Sequence, residues 1–298
     1  MIQPSGGIAW HDIVNFNDYA ELLPLVRNSL IAGAVLGLLG GVVGVVVMTR
    51  DLPFAVHGLS ELSFAGASGA LLFGSSVVAG AFVGSLVAAV LLGVLGLQAR
   101  DRNSVIGVLM PFGLGLGILF LALYQGRAAN KFGLLTGQIV AVDTTSLGTL
   151  AITSAVVLAV MAAIWRPLMF ASVDPDVAAA RGVPVRLLGP LFMALLGCAV
   201  ALSVQVVGAL LVLALLCVPA AAAMRVTASP LWVTALSVGF ALTATVGGIF
   251  VAIGTTIPIS PYITTISFAI YLGCRLVGWI RGRRGWVDRP ALVEEVAT

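Results

Sequence analysis

The chain has 298 residues, of which 60% are hydrophobic and 9% charged, with a mean hydropathy of +1.14. A soluble domain carries roughly 25% charged residues, so a water-coated globule is excluded. The formal net charge is only +3, and the arginines lie between apolar stretches or at the chain ends, where they read as topology signals and not as a nucleic-acid surface.

Residues 1–24 form an expected outer or interfacial N-terminal segment. It carries Asp12, Asp18 and Glu21 and no basic stretch before an apolar run, so a cleaved signal peptide is not expected. Crossing ~30 Å of hydrocarbon takes about 20 apolar residues in a helix. Runs of that length occur at Leu25 to Met48, Phe54 to Phe73, Ser75 to Leu97, Ser104 to Tyr124, Thr145 to Trp165, Leu187 to Gln205, Val207 to Met224, Leu231 to Ile253 and Ile263 to Ile280. The expected fold is therefore an all-α integral membrane bundle of about nine transmembrane helices over residues 25–280, followed by a cytoplasmic tail, 281–298. The sixth and seventh runs form one apolar stretch interrupted only by Gln205 and Gly208, and either is a candidate for a broken helix.

The arginines set the orientation. With the Arg166 to Arg186 segment inside, Arg50, Arg100, Arg102, Arg225, Arg281, Arg283 and Arg284 also fall inside, while Arg27, Arg127 and the single lysine, Lys131, fall outside. That asymmetry puts the N-terminus outside and the C-terminus inside. In the first run, Gly33, Gly37 and Gly41, with Gly40 and Gly44 alongside, make a small-xxx-small face expected to lie against a neighbouring helix. Cys198, Cys217 and Cys274 sit in apolar runs without metal-ligand spacing and read as small hydrophobes.

The second run places His57 and Glu61 four residues apart, on one helix face, with Ser60 and Ser68 close to the same side. If Arg50 marks the membrane edge, His57 lies about 10 Å deep and Glu61 about 16 Å deep at ~1.5 Å per residue. An ionisable group at that depth costs roughly 2.5 to 3.5 kcal/mol. Glu61 therefore needs a proton, a cation such as Arg275, or a divalent metal shared with His57, whose ligand types suit zinc or manganese. A structural Glu–His contact, a transported-ion site and a proton relay all satisfy this pattern.

Between the fifth and sixth runs, Asp174 is a good N-cap, Pro175 a favoured first helical residue and Gly182 a left-handed terminator. The segment is expected to form a short helix at the membrane surface, either a plain interfacial helix or a knob for a soluble partner. Phosphate-loop, HExxH and GxSxG patterns are absent from the sequence, so the chain is read as no enzyme, and any ATPase as a separate protein.

In order along the chain, VHGLSELSFAGASGA, RDRNSVIGVLMPFGLGLG, FGLLTGQI, DPDVAAARGVPV and VGALLVLALLCVPAAAA resemble motifs of the membrane permease subunits of bacterial zinc and manganese ABC importers. The likeness extends from about Pro24 to Leu276. In the second-helix motif the family's metal-contacting aspartate falls on His57 and its histidine on Glu61, a departure that keeps two ligand types at the same spacing. The resemblance implies that Asp174, Pro175, Asp176, Ala179 and Gly182 belong to a coupling helix, about 174–182, that engages an ATPase. It also implies that His57 and Glu61 lie on the metal path, with Ser60 and Ser68 as lining candidates. The implied assembly is a second copy of this chain, two cytoplasmic ATPase subunits and an extracytoplasmic metal-binding receptor, in membrane lipid, without nucleic acid. No cofactor is bound permanently, and the metal ion is cargo, with zinc favoured over manganese. Rival readings are an ABC permease for a siderophore or cobalamin-like ligand, an ion-coupled carrier using Glu61 as proton relay, and a non-transporting scaffold.

Overall fold

The computed structural model describes residues 23–24, 26–95, 99–126, 133–134, 137, 143–253 and 258–283, and every regular element among them is helical. Most of the expected N-terminal segment (1–22) and of the expected tail (284–298), Arg127, Lys131 and most of the FGLLTGQI motif lie outside the described residues.

The helices are α1 (Arg27–Thr49), α2 (Pro53–Leu72), α3 (Val77–Leu95), α4 (Ala99–Leu123), α5 (Thr144–Val173), α6 (Pro175–Ala180), α7 (Val185–Val207), α8 (Val212–Leu216), α9 (Val218–Val226), α10 (Pro230–Ala252) and α11 (Ile259–Arg283). Among the described residues six of them are long and apolar enough to cross a membrane: α1, α4, α5, α7, α10 and α11. The other three expected spans depart for separate reasons. In α2, twenty residues long, His57, Glu61 and three serines dilute the apolar character. The apolar part of α3, Val77–Gly93, is short.

The seventh expected span is broken. Gly208 ends α7 at φ 91° and ψ 153°, a region essentially closed to residues with a Cβ. A 3-10 turn, Ala209–Leu211, and the short α8 follow. Pro219 then prevents α8 and α9 from joining, because it lacks the N–H and its ring crowds the carbonyl four residues back. Interrupted backbone inside a membrane protein needs substitute partners, and the Ser260 hydroxyl of α11 donates to the Val207 carbonyl at 3.0 Å.

The expected fifth span stops at Trp165, whereas α5 continues through Arg166 and Pro167 to Val173. At thirty residues it is about 45 Å long, enough to carry its last turns beyond the hydrocarbon or to tilt. Its start is capped by Asp143, whose carboxylate accepts from the Ser146 N–H at 3.3 Å. The hydrogen bonding of Ser146 holds that exposed carboxyl below its usual range.

The two glycine stripes of α1 face two different neighbours. A Cβ at Gly37 would lie 2.8 Å from Thr245 Oγ1 and 3.2 Å from the Leu242 Cα, and Gly33 and Gly41 also face α10. Gly40 and Gly44 instead receive the Leu215 and Leu216 carbonyls at the end of α8, the place where Pro219 interrupts the helix ladder. At the centre lies α2, with fourteen of its twenty residues buried. It is flanked by α3 and α4 and also touches α7 and α8. Against α3 the approach is backbone to backbone: a Cβ on Gly66 would strike the Gly80 carbonyl, and one on Gly84 the Leu62 carbonyl.

Candidate functional site

Within this frame α2 holds His57 and Glu61 one turn apart. His57 Nε2 lies 3.8 Å from Glu61 Oε1, with the imidazole 30% and the carboxylate 3% exposed. His57 Nδ1 and Glu61 Oε2 are both buried and lack a hydrogen-bond partner. At 3.8 Å the two side chains are too far apart for a hydrogen bond. Buried polar atoms are nearly always satisfied, so the unpartnered nitrogen and oxygen are open to a cation, a proton or water. No group of three or more His, Cys, Asp or Glu occurs among the described residues. Arg275 is exposed on α11 and forms no ion pair among the described residues.

The two serines expected to line the path each donate within α2. Ser60 Oγ donates to the His57 carbonyl at 2.9 Å and Ser68 Oγ donates to the Phe64 carbonyl. Both are fully buried, and each retains lone pairs as an acceptor. Ser68 stands seven residues beyond Glu61, about 10 Å along the axis.

Two features that sequence reasoning missed shape the site. The first is Gly113 of α4, packed against the backbone at Glu61: a Cβ there would lie 3.0 Å from the Glu61 carbonyl carbon and 3.1 Å from the Leu62 nitrogen. Its signal in the sequence was the alternation Gly113, Gly115, Gly117, which does not say which glycine faces α2. The second is a cavity of about 540 Å³ near the other end of α2, lined by Leu71, Ser76, Thr145, Thr149, Leu202 and Gln205. The side-chain nitrogen of Gln205 is buried without a partner.

The surface helix forms as its residues dictate. The Asp174 carboxylate accepts from the Val177 N–H at 3.0 Å, Pro175 opens α6, and Gly182 closes it at φ 81°. The Gly182 and Val183 N–H groups return to the Ala179 and Ala178 carbonyls, each at 3.0 Å. Ala178 is buried as the anchor, while Asp174, Pro175, Asp176, Ala179 and Gly182 are exposed together with apolar Val173, Val177 and Leu187. The knob lies at the Arg50 end of the bundle, since Arg50 bonds to Ser172 at 2.7 Å. Arg225 lies at the same end, because Val45 near the close of α1 packs with Ala220 and Ala223 of α9. Nearby, Arg281 donates to the Val226 carbonyl at 3.1 Å.

The sequence model described as the ABC 3 transport family matches residues 23–278. The chain is 27% identical over 262 residues to the manganese import system permease protein ScaB of Streptococcus parasanguinis, covering 87% of this chain and 93% of that protein. It is also 27% identical over 229 residues to the manganese transport system membrane protein MntC of Halalkalibacterium halodurans, covering 76% and 78%. Among solved structures, PsaBC from Streptococcus pneumoniae in complex with Fab superposes with a TM-score of 0.77 at 26% identity, over 86% of this chain and 94% of that one.

Proposed function

The chain belongs to the ABC 3 transport family, and we propose that it is the membrane permease of an ATP-driven importer whose cargo is a divalent transition metal ion, manganese first. Its relatives are named as permease and membrane proteins of transport systems, and the ATPase is a separate chain. The relatives named above are manganese proteins, a likeness that moves the favoured cargo from zinc to manganese. The nine-span arrangement, with α2, α3 and the α8–α9 pair completing the bundle, belongs to this reading. So do the N-out, C-in orientation, the second copy, the ATPase pair and the external receptor.

The observation that carries the reading is the His57–Glu61 pair, with a buried unpartnered nitrogen and oxygen, on the most enclosed helix. A carboxylate oxygen suits manganese, and an imidazole nitrogen is a common ligand for divalent transition metals. Two ligands from one helix leave coordination positions for water or other groups, which suits an ion that must leave again. The exposed knob on α6 provides the surface through which ATPase closure rocks the bundle and alternates access.

The test is manganese uptake into proteoliposomes holding this chain with its ATPase and receptor, comparing wild type with Glu61→Gln and His57→Ala. Uptake is expected to need ATP and to collapse in both variants. In the wild type it is expected to fall on acidification, because a protonated imidazole cannot ligate metal. ATP-dependent uptake that ignores both substitutions would return the pair to a structural role. Uptake driven by an ion gradient without ATP would favour the carrier, and transport of a chelate alone the larger-ligand permease.

A further inference from the structure

Arg50 serves in the sequence only as a membrane-edge marker, but its side chain ties together three parts of the molecule. It caps the end of α1 and stands three residues before α2 begins. Its Nε donates to Ser172 Oγ at 2.7 Å, and Ser172 Oγ donates onward to the Leu168 carbonyl at 2.6 Å. The guanidinium carbon lies 5.6 Å from the centroid of the Phe192 ring.

The two residues it grips flank the knob. Ser172 lies two residues before Asp174, the N-cap of α6, and Phe192 is a fully buried residue of α7, the helix that follows α6. α6 itself packs on the end of α5 and the start of α7. On the other side the connection from Arg50 to α2 has no slack. Asp51 is the one non-glycine at positive φ, 53°, among the described residues, and the Leu52 N–H bonds back to the Val47 carbonyl at 2.9 Å. A strained residue in a three-residue turn persists only where its surroundings over-determine it. A displacement of Arg50 therefore passes into the first turn of α2, which begins four residues before His57.

We propose that Arg50 is a positioning residue that links the α6 segment to α2, so that movement of the knob reaches the His57–Glu61 pair through the Ser172 hydrogen bond and the Phe192 ring. The inference rests on the permease reading. Arginine suits the role because one planar group can donate in its plane and stack on an aromatic face; a lysine ammonium has no such plane.

The experiment measures manganese imported per ATP hydrolysed, using the full complex in proteoliposomes with manganese alone as probe. The variants are Arg50→Ala, Arg50→Lys, Ser172→Ala and the Arg50→Ala/Ser172→Ala double. Arg50→Ala is expected to keep hydrolysing ATP while the ratio falls at least about tenfold, with little rescue by lysine. Ser172→Ala is expected to lower the ratio about threefold, and the double variant to be no worse than Arg50→Ala, the signature of two groups in one linkage. An unchanged ratio in Arg50→Ala, equal losses of hydrolysis and uptake, or multiplied losses in the double variant would overturn the proposal. If Arg50→Ala does not assemble, Ser172→Ala decides, and an unchanged ratio there overturns it. A wild-type complex that moves no manganese would instead refute the permease reading.

Discussion

Gly113 offers a direct test of whether the packing behind α2 governs the pair it carries. In Gly113→Ala the new methyl would meet Leu62 Cδ1 at 2.7 Å, the Glu61 carbonyl carbon at 3.0 Å and the Leu62 nitrogen at 3.1 Å. The leucine methyl can rotate away, but the two backbone atoms cannot, so α4 must retreat from α2 by a few tenths of an ångström. Overpacking of this kind costs about 1 to 3 kcal/mol, and replacing a mid-helix glycine by alanine returns about 1 kcal/mol. The net loss, about 0 to 2 kcal/mol, leaves the bundle folded. A working site, however, must be held within about 0.5 Å, and a misplacement of 1 Å costs roughly 100-fold. A retreat of a few tenths of an ångström is therefore expected to lower manganese uptake about three- to tenfold. The control is Gly115→Ala on the same helix, where a Cβ meets nothing within 4 Å. Uptake over a range of manganese concentrations, normalised to reconstituted protein, with melting in detergent alongside, separates transport from stability. Equal uptake by the two variants, or a Gly113→Ala loss that tracks protein amount alone, would refute the reasoning.

Further outcomes are expected at Gly208, Ser260 and Asp174. Gly208→Val places a β-branched side chain at φ 91° and ψ 153° and is expected to cost at least about 1 to 3 kcal/mol, read as a lowered melting temperature. Ser260→Ala, which removes the hydrogen bond to the Val207 carbonyl, is expected to cost at least about 1 kcal/mol in the same measurement. Asp174→Ala removes the cap of α6 and about 1 kcal/mol of its stability, so co-purification of the ATPase and ATP-driven uptake are expected to weaken together. Asp174→Asn, an equally good N-cap, is expected to restore both, and failure of that rescue would assign Asp174 a role in its charge.

The local chemistry of the chain carried a large share of the architecture. Runs of apolar residues lead to helices because lipid offers no partner for bare peptide groups. Asp174, Pro175 and Gly182 each satisfy a backbone demand at a helix end, so α6 was legible to the residue. His57 and Glu61 stood out because ionisable groups in an apolar run are expensive wherever they end up. Span boundaries were less legible: α5 runs past Arg166 and Pro167, because a helix emerging from hydrocarbon need not stop where hydropathy does. The break at Gly208 was visible as an interruption, but the Ser260 hydroxyl that satisfies it comes from a helix more than fifty residues away.

By itself, then, the sequence determined that the chain is helical and membrane-embedded, where its surface helix begins and ends, and which two side chains are costly to bury. These follow from short-range backbone geometry and from transfer energies that each residue carries with it. Tertiary structure alone decided that α2 lies at the centre, that the two glycine stripes of α1 serve different partners, that Gly113 and not Gly115 backs Glu61, and that Arg50 reaches Ser172 and Phe192. Each of these depends on which helix faces which, and in lipid that choice rests on close complementarity of shape and a few hydrogen bonds between segments far apart in the chain.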